Sequence, residues 1–165
     1  MLKINTKKYF GLNNKGFMMV EILIVSSIIV VAFISAVAVG QKSLQVGRQA
    51  LHASQANFLL EEGAEAVRVT RDNAWTNISN LTNGTTYYPT YASGTWTLSA
   101  TPNTTDIFTR VVILSPVYRT ASGNVDTIVG SLDSGTKLVT VIVTWSESGT
   151  TITKTLKFYI NDLFS

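Results

Sequence analysis

The first long hydrophobic segment of the chain is a run of apolar residues without charge. Ile22 to Val39 is eighteen residues long, and its only polar members are Ser26, Ser27 and Ser35. With the apolar residues 17–20 in front, the run reaches the roughly 20 residues that a helix needs to cross a bilayer. The pattern therefore predicts a membrane-spanning helix near the N-terminus.

Helical periodicity continues beyond this run. No proline occurs between Gln41 and Asp72, and apolar residues recur at spacings of three, four and seven. The apolar positions are Leu44, Leu51, Phe58, Leu60, Ala64 and Val67. The polar residues of RDNAW at 71–75 indicate that the helix ends there. We expect one helix from about Phe17 to about Asp72, apolar all round in its first half and amphipathic in its second.

From Trp75 onward the composition shifts to threonine, serine, asparagine, glycine and β-branched residues, which favour strands and turns. TTYYPTY (85–91) and TWTLSA (95–100) predict a hairpin around ASG. IFTRVVILSPVYR (107–119) predicts a longer strand interrupted at Pro116. After a loop containing glycine and aspartate, KLVTVIVTW (137–145) and TITKTLKFYI (151–160) alternate as strands with one buried face.

These elements predict an α+β fold, a long N-terminal helix packed on a C-terminal antiparallel β-sheet head. The expected organisation is a basic leader (1–16), a membrane-spanning half of the helix (17–40), an amphipathic half (41–73) and the β head (74–165). The amphipathic half is the obvious cover for the apolar face of the sheet.

Composition narrows the range of functions. The chain has no cysteine and one histidine, His52, which excludes disulfides, thiolate sites and clusters of several histidines around a metal. No pair of carboxylates stands out as an acid–base couple, so we expect no enzyme activity and no cofactor. Four lysines (3, 7, 8 and 15) precede the apolar run, and the other nine basic residues are matched by ten acidic ones. The chain therefore shows no basic stripe for nucleic acid, and its charge favours a cytoplasmic N-terminus with the head exported.

Glu21 is the residue that demands an explanation, because a carboxylate in an apolar membrane segment is costly and usually has a partner. It belongs to the segment KGFMMVEILIV (15–25). A basic leader, Gly16-Phe17, a glutamate four positions later and a long apolar helix, in this order, resemble the class III leader of type IV prepilins and type II secretion pseudopilins. The phrase FLLEEGAEAVRVTRDNAW (58–75) also looks like the end of the helix in minor pilins and pseudopilins.

The resemblance implies processing and assembly. A prepilin peptidase would cut between Gly16 and Phe17 and methylate the new amine of Phe17, and Glu21 would neutralise that amine in a neighbouring subunit. The implied partners are other pilin-like subunits, the peptidase, an inner-membrane assembly platform and, before assembly, membrane lipid. The implied location is a single-pass inner membrane and then a cell-surface or periplasmic filament.

Two departures favour a minor pilin or a pseudopilin within this family. Ala38 stands where many major pilins carry a proline, and the absence of cysteine rules out their C-terminal disulfide loop. Pseudopilins serve secretion or DNA-uptake machines, which is the first alternative.

Two alternatives lie outside the family. One is a signal peptide cut after Ala36-Val37-Ala38, which would release a soluble domain. The other is a plain membrane anchor that carries an exported binding domain.

Asp126 and Asp133 are weak candidates for a calcium site, because both fall in the glycine- and serine-containing loop. Two carboxylates seven residues apart without a third nearby are more typical of solvated loop residues, so we expect no metal there. His52 is expected at a subunit contact or in solvent.

Overall fold

In the computed structural model, which describes residues 15–163, one helix dominates the N-terminal part of the chain. Helix α1 spans Lys15–Asn73, which confirms the single long helix. The chain divides after Arg48 into two compact units.

The second unit, from Gln49 on, contains the last part of α1, a short helix and all the strands. The short helix α2 spans Thr76–Ser79. The strands are β1 Thr86–Ala92, β2 Thr95–Ser99, β3 Thr109–Arg119, β4 Val125–Asp126, β5 Ser131–Glu147 and β6 Thr150–Asn161. They form one antiparallel six-stranded sheet in the order β2-β1-β3-β5-β6, with β4 paired to β3. The predicted α+β class is confirmed.

The strand predictions are correct except at β4 and at the start of β5, both of which fall in the predicted loop. The β1–β2 hairpin forms, and the register of β3 against β5 shifts between Pro116 and Val117. A register shift is expected next to proline because its nitrogen cannot donate to the ladder. Strand β5 begins at Ser131 and not near Lys137, so the predicted loop is partly strand. Pairing with β3 extends the strand through polar residues that lack an alternating pattern.

One face of the sheet is buried against α1, as predicted. The hydrophobic core joins residues of β3, β5 and β6 to residues of the helix. Its helical members are Ala56, Leu60 and Val67, and its sheet members include Val112, Leu114, Val139, Val141, Val143, Trp145 and Ile160. The alternation of β-branched residues on β5 thus predicted the correct inward face.

The predicted apolar stripe of the helix is only half correct. Leu60, Ala64 and Val67 are buried, but Leu51 and Phe58 are exposed. Phe58 and Leu60 lie about 200° apart around a helix with 3.6 residues per turn, so they cannot face the same sheet. The two groups of apolar residues form different surfaces, and only the second group meets the sheet.

The helix comes close to the sheet at Gly63. A Cβ on Gly63 would lie 2.7 Å from Cγ1 of Val141 and 3.1 Å from Cδ of Arg110. Beside it, Arg110 is almost fully buried and donates from Nη1 to Oε2 of Glu62 at 2.7 Å. The Arg110 guanidinium also stacks on the ring of Trp96, 5.4 Å from its centroid. Gly63 and the neighbouring Glu62, which pairs with the buried Arg110, therefore fix the register of the helix on the sheet.

We predict that Gly63→Ala destabilises the second unit although alanine favours helix by about 1 kcal/mol. The added methyl overlaps a β-branched side chain in the centre of the sheet, and such overpacking typically costs about 1–3 kcal/mol. The check is the melting temperature of the full chain in detergent, followed by tryptophan fluorescence. Gly47→Ala is the matched control, because nothing lies within 4 Å of its added Cβ; it should not lower the melting temperature. Equal effects of the two substitutions would contradict the role of Gly63.

Candidate functional site: the N-terminal apolar helix

The apolar half of α1 exposes nearly all of its side chains. Phe17 is 84% exposed, and the large apolar residues from Met18 to Val39 are all exposed. The helix is long and apolar enough to cross a membrane, and none of its most apolar 18-residue stretch is buried within the protein. A continuous apolar surface of this length is unfavourable in water. The helix is thus compatible with a single membrane span, in agreement with the membrane-spanning helix predicted from the sequence.

The three serines of the apolar run hydrogen-bond within the helix. Oγ of Ser26 donates to the carbonyl of Leu23 at 3.0 Å, and Oγ of Ser27 to that of Ile24 at 2.7 Å. Oγ of Ser35 donates to the carbonyl of Val31 at 2.8 Å. Helix α1 is unbroken through these serines and through Gly40. The hydroxyl groups therefore need no partner outside the helix.

Glu21 differs from these serines because its carboxylate is left without a partner. Its side chain is exposed on the apolar helix. Among the side chains that the structure describes, residues 17–163, none forms a hydrogen bond or an ion pair with it. Its neighbours along the helix face are Met18, Ile22 and Val25. A charge in such surroundings calls for a donor from outside the described residues.

The bond between Gly16 and Phe17 lies in α1, which the structure describes from Lys15 on. The predicted leader lies outside the described residues except for the backbone of its last two positions. The predicted site residues Gly16, Phe17 and Glu21 thus fall on one helical segment.

The weak metal candidates, Asp126 and Asp133, already accept hydrogen bonds from groups of their own chain. Oδ1 of Asp126 accepts the backbone amides of Ile128 at 2.8 Å and Val129 at 3.2 Å, and these bonds lower the pKa of Asp126. The pKa of Asp133 is lowered by the hydroxyl of Thr136 and by the guanidinium of Arg119, whose Nε lies 2.7 Å from Oδ2. Within residues 15–163 no group of three or more potential ligands comes together around a metal position.

His52 packs against the sheet, which its sequence context did not predict. Its Nδ1 lies 3.5 Å from Oε1 of Glu147, and its ring meets the ring of Phe108 edge-on. The histidine is partly buried against its own sheet, which corrects the expectation of a position in solvent.

The contact of Lys154 with the helix was not predicted from the sequence. It sits on the helix-facing side of β6, and its Nζ donates to the carbonyl of Ala53 at 3.2 Å and to Oδ1 of Asn57 at 2.8 Å. Its place in the alternation of β6, two residues before Leu156, is the signal that could have revealed this orientation.

No family model, no curated protein and no solved structure matches the chain.

We predict that Asp133→Asn lowers stability at about pH 6 but leaves stability at about pH 2 unchanged. The folded-state pKa of Asp133 is depressed, so its carboxylate contributes stability above its unfolded value near 3.8. That contribution disappears as pH falls through the folded value, where wild type and variant become alike. The check is denaturant unfolding of both full chains at the two pH values. A stability difference that persists at about pH 2 would contradict the charge-based contribution.

Proposed function

We propose that this protein is a structural subunit of a type IV pilus-like filament, a pilin or minor pilin. The observation that carries the proposal is the unpartnered carboxylate of Glu21 on an exposed apolar helix, five residues after Gly16. The chain would be held in the inner membrane by α1, with its N-terminus inside and its head outside. It would be a substrate of a prepilin peptidase and would catalyse nothing itself.

The chemistry explains why cleavage and the glutamate belong together. Cutting after Gly16 would create an amine on Phe17 at the start of an apolar helix, where that amine has no partner on its own chain. Each charge alone is expensive in an apolar setting, whereas a neighbouring amine and carboxylate offset one another. Glu21 would then pair with the amine of the adjacent subunit and help to set the axial register of assembly.

The rest of α1 supports a role in assembly over a role in binding small molecules. The apolar run has no internal partner, and its serines are satisfied within the helix. Such a segment can exchange lipid contacts for contacts with other helices without exposing polar groups.

A pseudopilin of a secretion or DNA-uptake machine is the second candidate. The helix is unbroken at Ala38, the position at which many major pilins carry a proline that can loosen the helix. A membrane-anchored binding domain is the candidate from another class, and the state of the N-terminus distinguishes it.

Sequencing the mature N-terminus tests the proposal most directly. We expect N-methylated Phe17 on protein purified from cells that contain a prepilin peptidase. Protein that begins at Met1 would indicate a plain anchor, and protein that begins at Val39 would indicate a released domain. Either of these results would overturn the proposal.

We further predict that Glu21→Gln leaves cleavage intact and reduces filament incorporation at least tenfold. The substitution keeps shape and hydrogen-bonding atoms but removes the negative charge that would offset the amine. The measurement is the ratio of subunit in sheared filaments to subunit in membranes. Glu61→Gln, an exposed glutamate outside the apolar run, is the matched control. Wild-type incorporation of the Glu21 variant would show that no such pair forms.

A further inference from the structure

Beyond the apolar run, α1 carries a stripe of exposed apolar residues at regular spacing. Leu44, Leu51 and Phe58 follow one another seven residues apart, and they are 71%, 56% and 67% exposed. We name this surface the α1 stripe; its residues, at alternating spacings of three and four, are Leu44, Gly47, Leu51, Ser54, Phe58 and Glu61. Such spacing is typical of a helix that packs along a second helix.

Charge is unevenly distributed along this part of the helix. The chain has no acidic residue between Glu21 and Glu61, whereas Lys42 and Arg48 lie in that interval and are exposed. Glu61 begins a cluster of three glutamates within five positions. The N-terminal part of the α1 stripe is therefore flanked by positive charge, and its C-terminal part ends in negative charge.

Arg48 and Glu61 both lack a partner within the described part of their own chain. Among the side chains of residues 17–163, none forms a hydrogen bond or an ion pair with either of them. The two other glutamates of the cluster are each paired with an arginine, Glu62 with Arg110 and Glu65 with Arg68. The opposite charges at the two parts of the stripe are thus not neutralised by their neighbours.

Both parts of the stripe leave room for a partner. Phe58 and Glu61 line a groove of about 540 Å³ whose apolar wall includes Trp96 and Leu156. In the N-terminal part, a Cβ added at Gly47 would have nothing within 4 Å. A glycine at such an open position lets the backbone of another helix come close.

The charges select a shifted contact between two copies of the chain. A parallel pair in register would place Glu61 against Glu61 of the other copy, and like charges that face each other disfavour a contact. We propose that the α1 stripe docks in parallel against the α1 stripe of a second copy, shifted by two seven-residue repeats. The shift is about 21 Å at the helical rise of 1.5 Å per residue. It brings Leu44 of one copy opposite Phe58 of the other, and it places Gly47 and Arg48 beside Glu61.

The apolar half of α1 determines the direction of the pair. An antiparallel pair would also bring Arg48 to Glu61, but residues 17–39 of the two copies would then point to opposite ends and could not enter one membrane. In the parallel pair, a shift of about 21 Å is most of the roughly 30 Å hydrocarbon core, so two chains that both span a bilayer cannot adopt it. The contact therefore forms between chains that are displaced along the membrane normal, as when subunits leave the membrane one after another. In this respect it rests on the proposed function.

The contact can nevertheless be measured without cleavage and without a filament. In detergent solution two helices are free to shift along one another, and no assembly machinery is needed. If the mature chain began at Met1, the proposed processing would fail while the shifted contact could still be measured. The two hypotheses can therefore be judged separately.

Disulfide cross-linking of the full chain in detergent tests the shift, because the natural chain has no cysteine. Gly40 and Ser54 are exposed and lie two repeats apart on the line of the stripe. On mild oxidation, we expect a mixture of the Gly40→Cys and Ser54→Cys variants to form at least tenfold more dimer than either variant alone. A mixture of Ser54→Cys with Lys157→Cys, an exposed position on β6, controls for random collision. Three results would overturn the proposal: no dimer from the first mixture, an equal yield from the control, or dimers from Ser54→Cys alone, which indicate an unshifted or antiparallel pair.

A second arm tests the charge pair by exchange. Adding Arg48→Glu to both cysteine variants should reduce the mixed dimer at least tenfold, and adding Glu61→Arg as well should restore it. Lys42→Glu is the matched control, because it makes the same change of charge on an exposed residue outside the stripe and should leave the dimer unchanged. The melting temperature of each variant checks that its fold is intact. A dimer that survives Arg48→Glu, that the exchange does not restore, or that Lys42→Glu reduces equally would contradict the proposed pair.

Discussion

The close approach of α1 to the sheet at Gly63 is the constraint on which the second unit depends. The missing side chain lets the helix backbone reach Val141, and this proximity allows Glu62 to meet the buried Arg110. Arg110 in turn lies against Trp96 of the first hairpin. One glycine thus links the helix, the central strands and the β1–β2 hairpin, and the aliphatic core fills the space that this spacing defines.

Large apolar side chains in three parts of the chain lie in physically different settings. Those between helix and sheet are buried and stabilise the head. Those of residues 17–39 are exposed along a continuous helix and suit a lipid or protein environment. Those of Val125, Ile128, Val129 and Leu132 are exposed around a turn in which Asp126 accepts two backbone amides.

The single long helix and the inward face of β5 could be predicted because each rests on a long, regular pattern. The helix has no internal breaker, and valines alternate without exception from Val139 to Val143. Gly63 could not be interpreted in advance, since a lone glycine in a helical pattern looks only like a local weakness. The contacts of Lys154 and His52 depend on pairing between residues about one hundred positions apart. Such pairing follows from tertiary geometry, which local periodicity does not encode.

The internal hydrogen bonds of Ser26, Ser27 and Ser35 have a consequence for how the apolar helix responds to a change of solvent. Since the acceptors of these hydroxyl groups are carbonyls of the same helix, transfer of the segment between two apolar media leaves the hydrogen bonds intact. From Ile22 to Val39 the free energy of such a transfer is then set by dispersion and packing alone. Among the described side chains at the start of the segment, Glu21 is the one that can carry a charge, so its free energy depends on the polarity of the medium. The free energy of the segment therefore depends on the polarity of its surroundings mainly through one carboxylate.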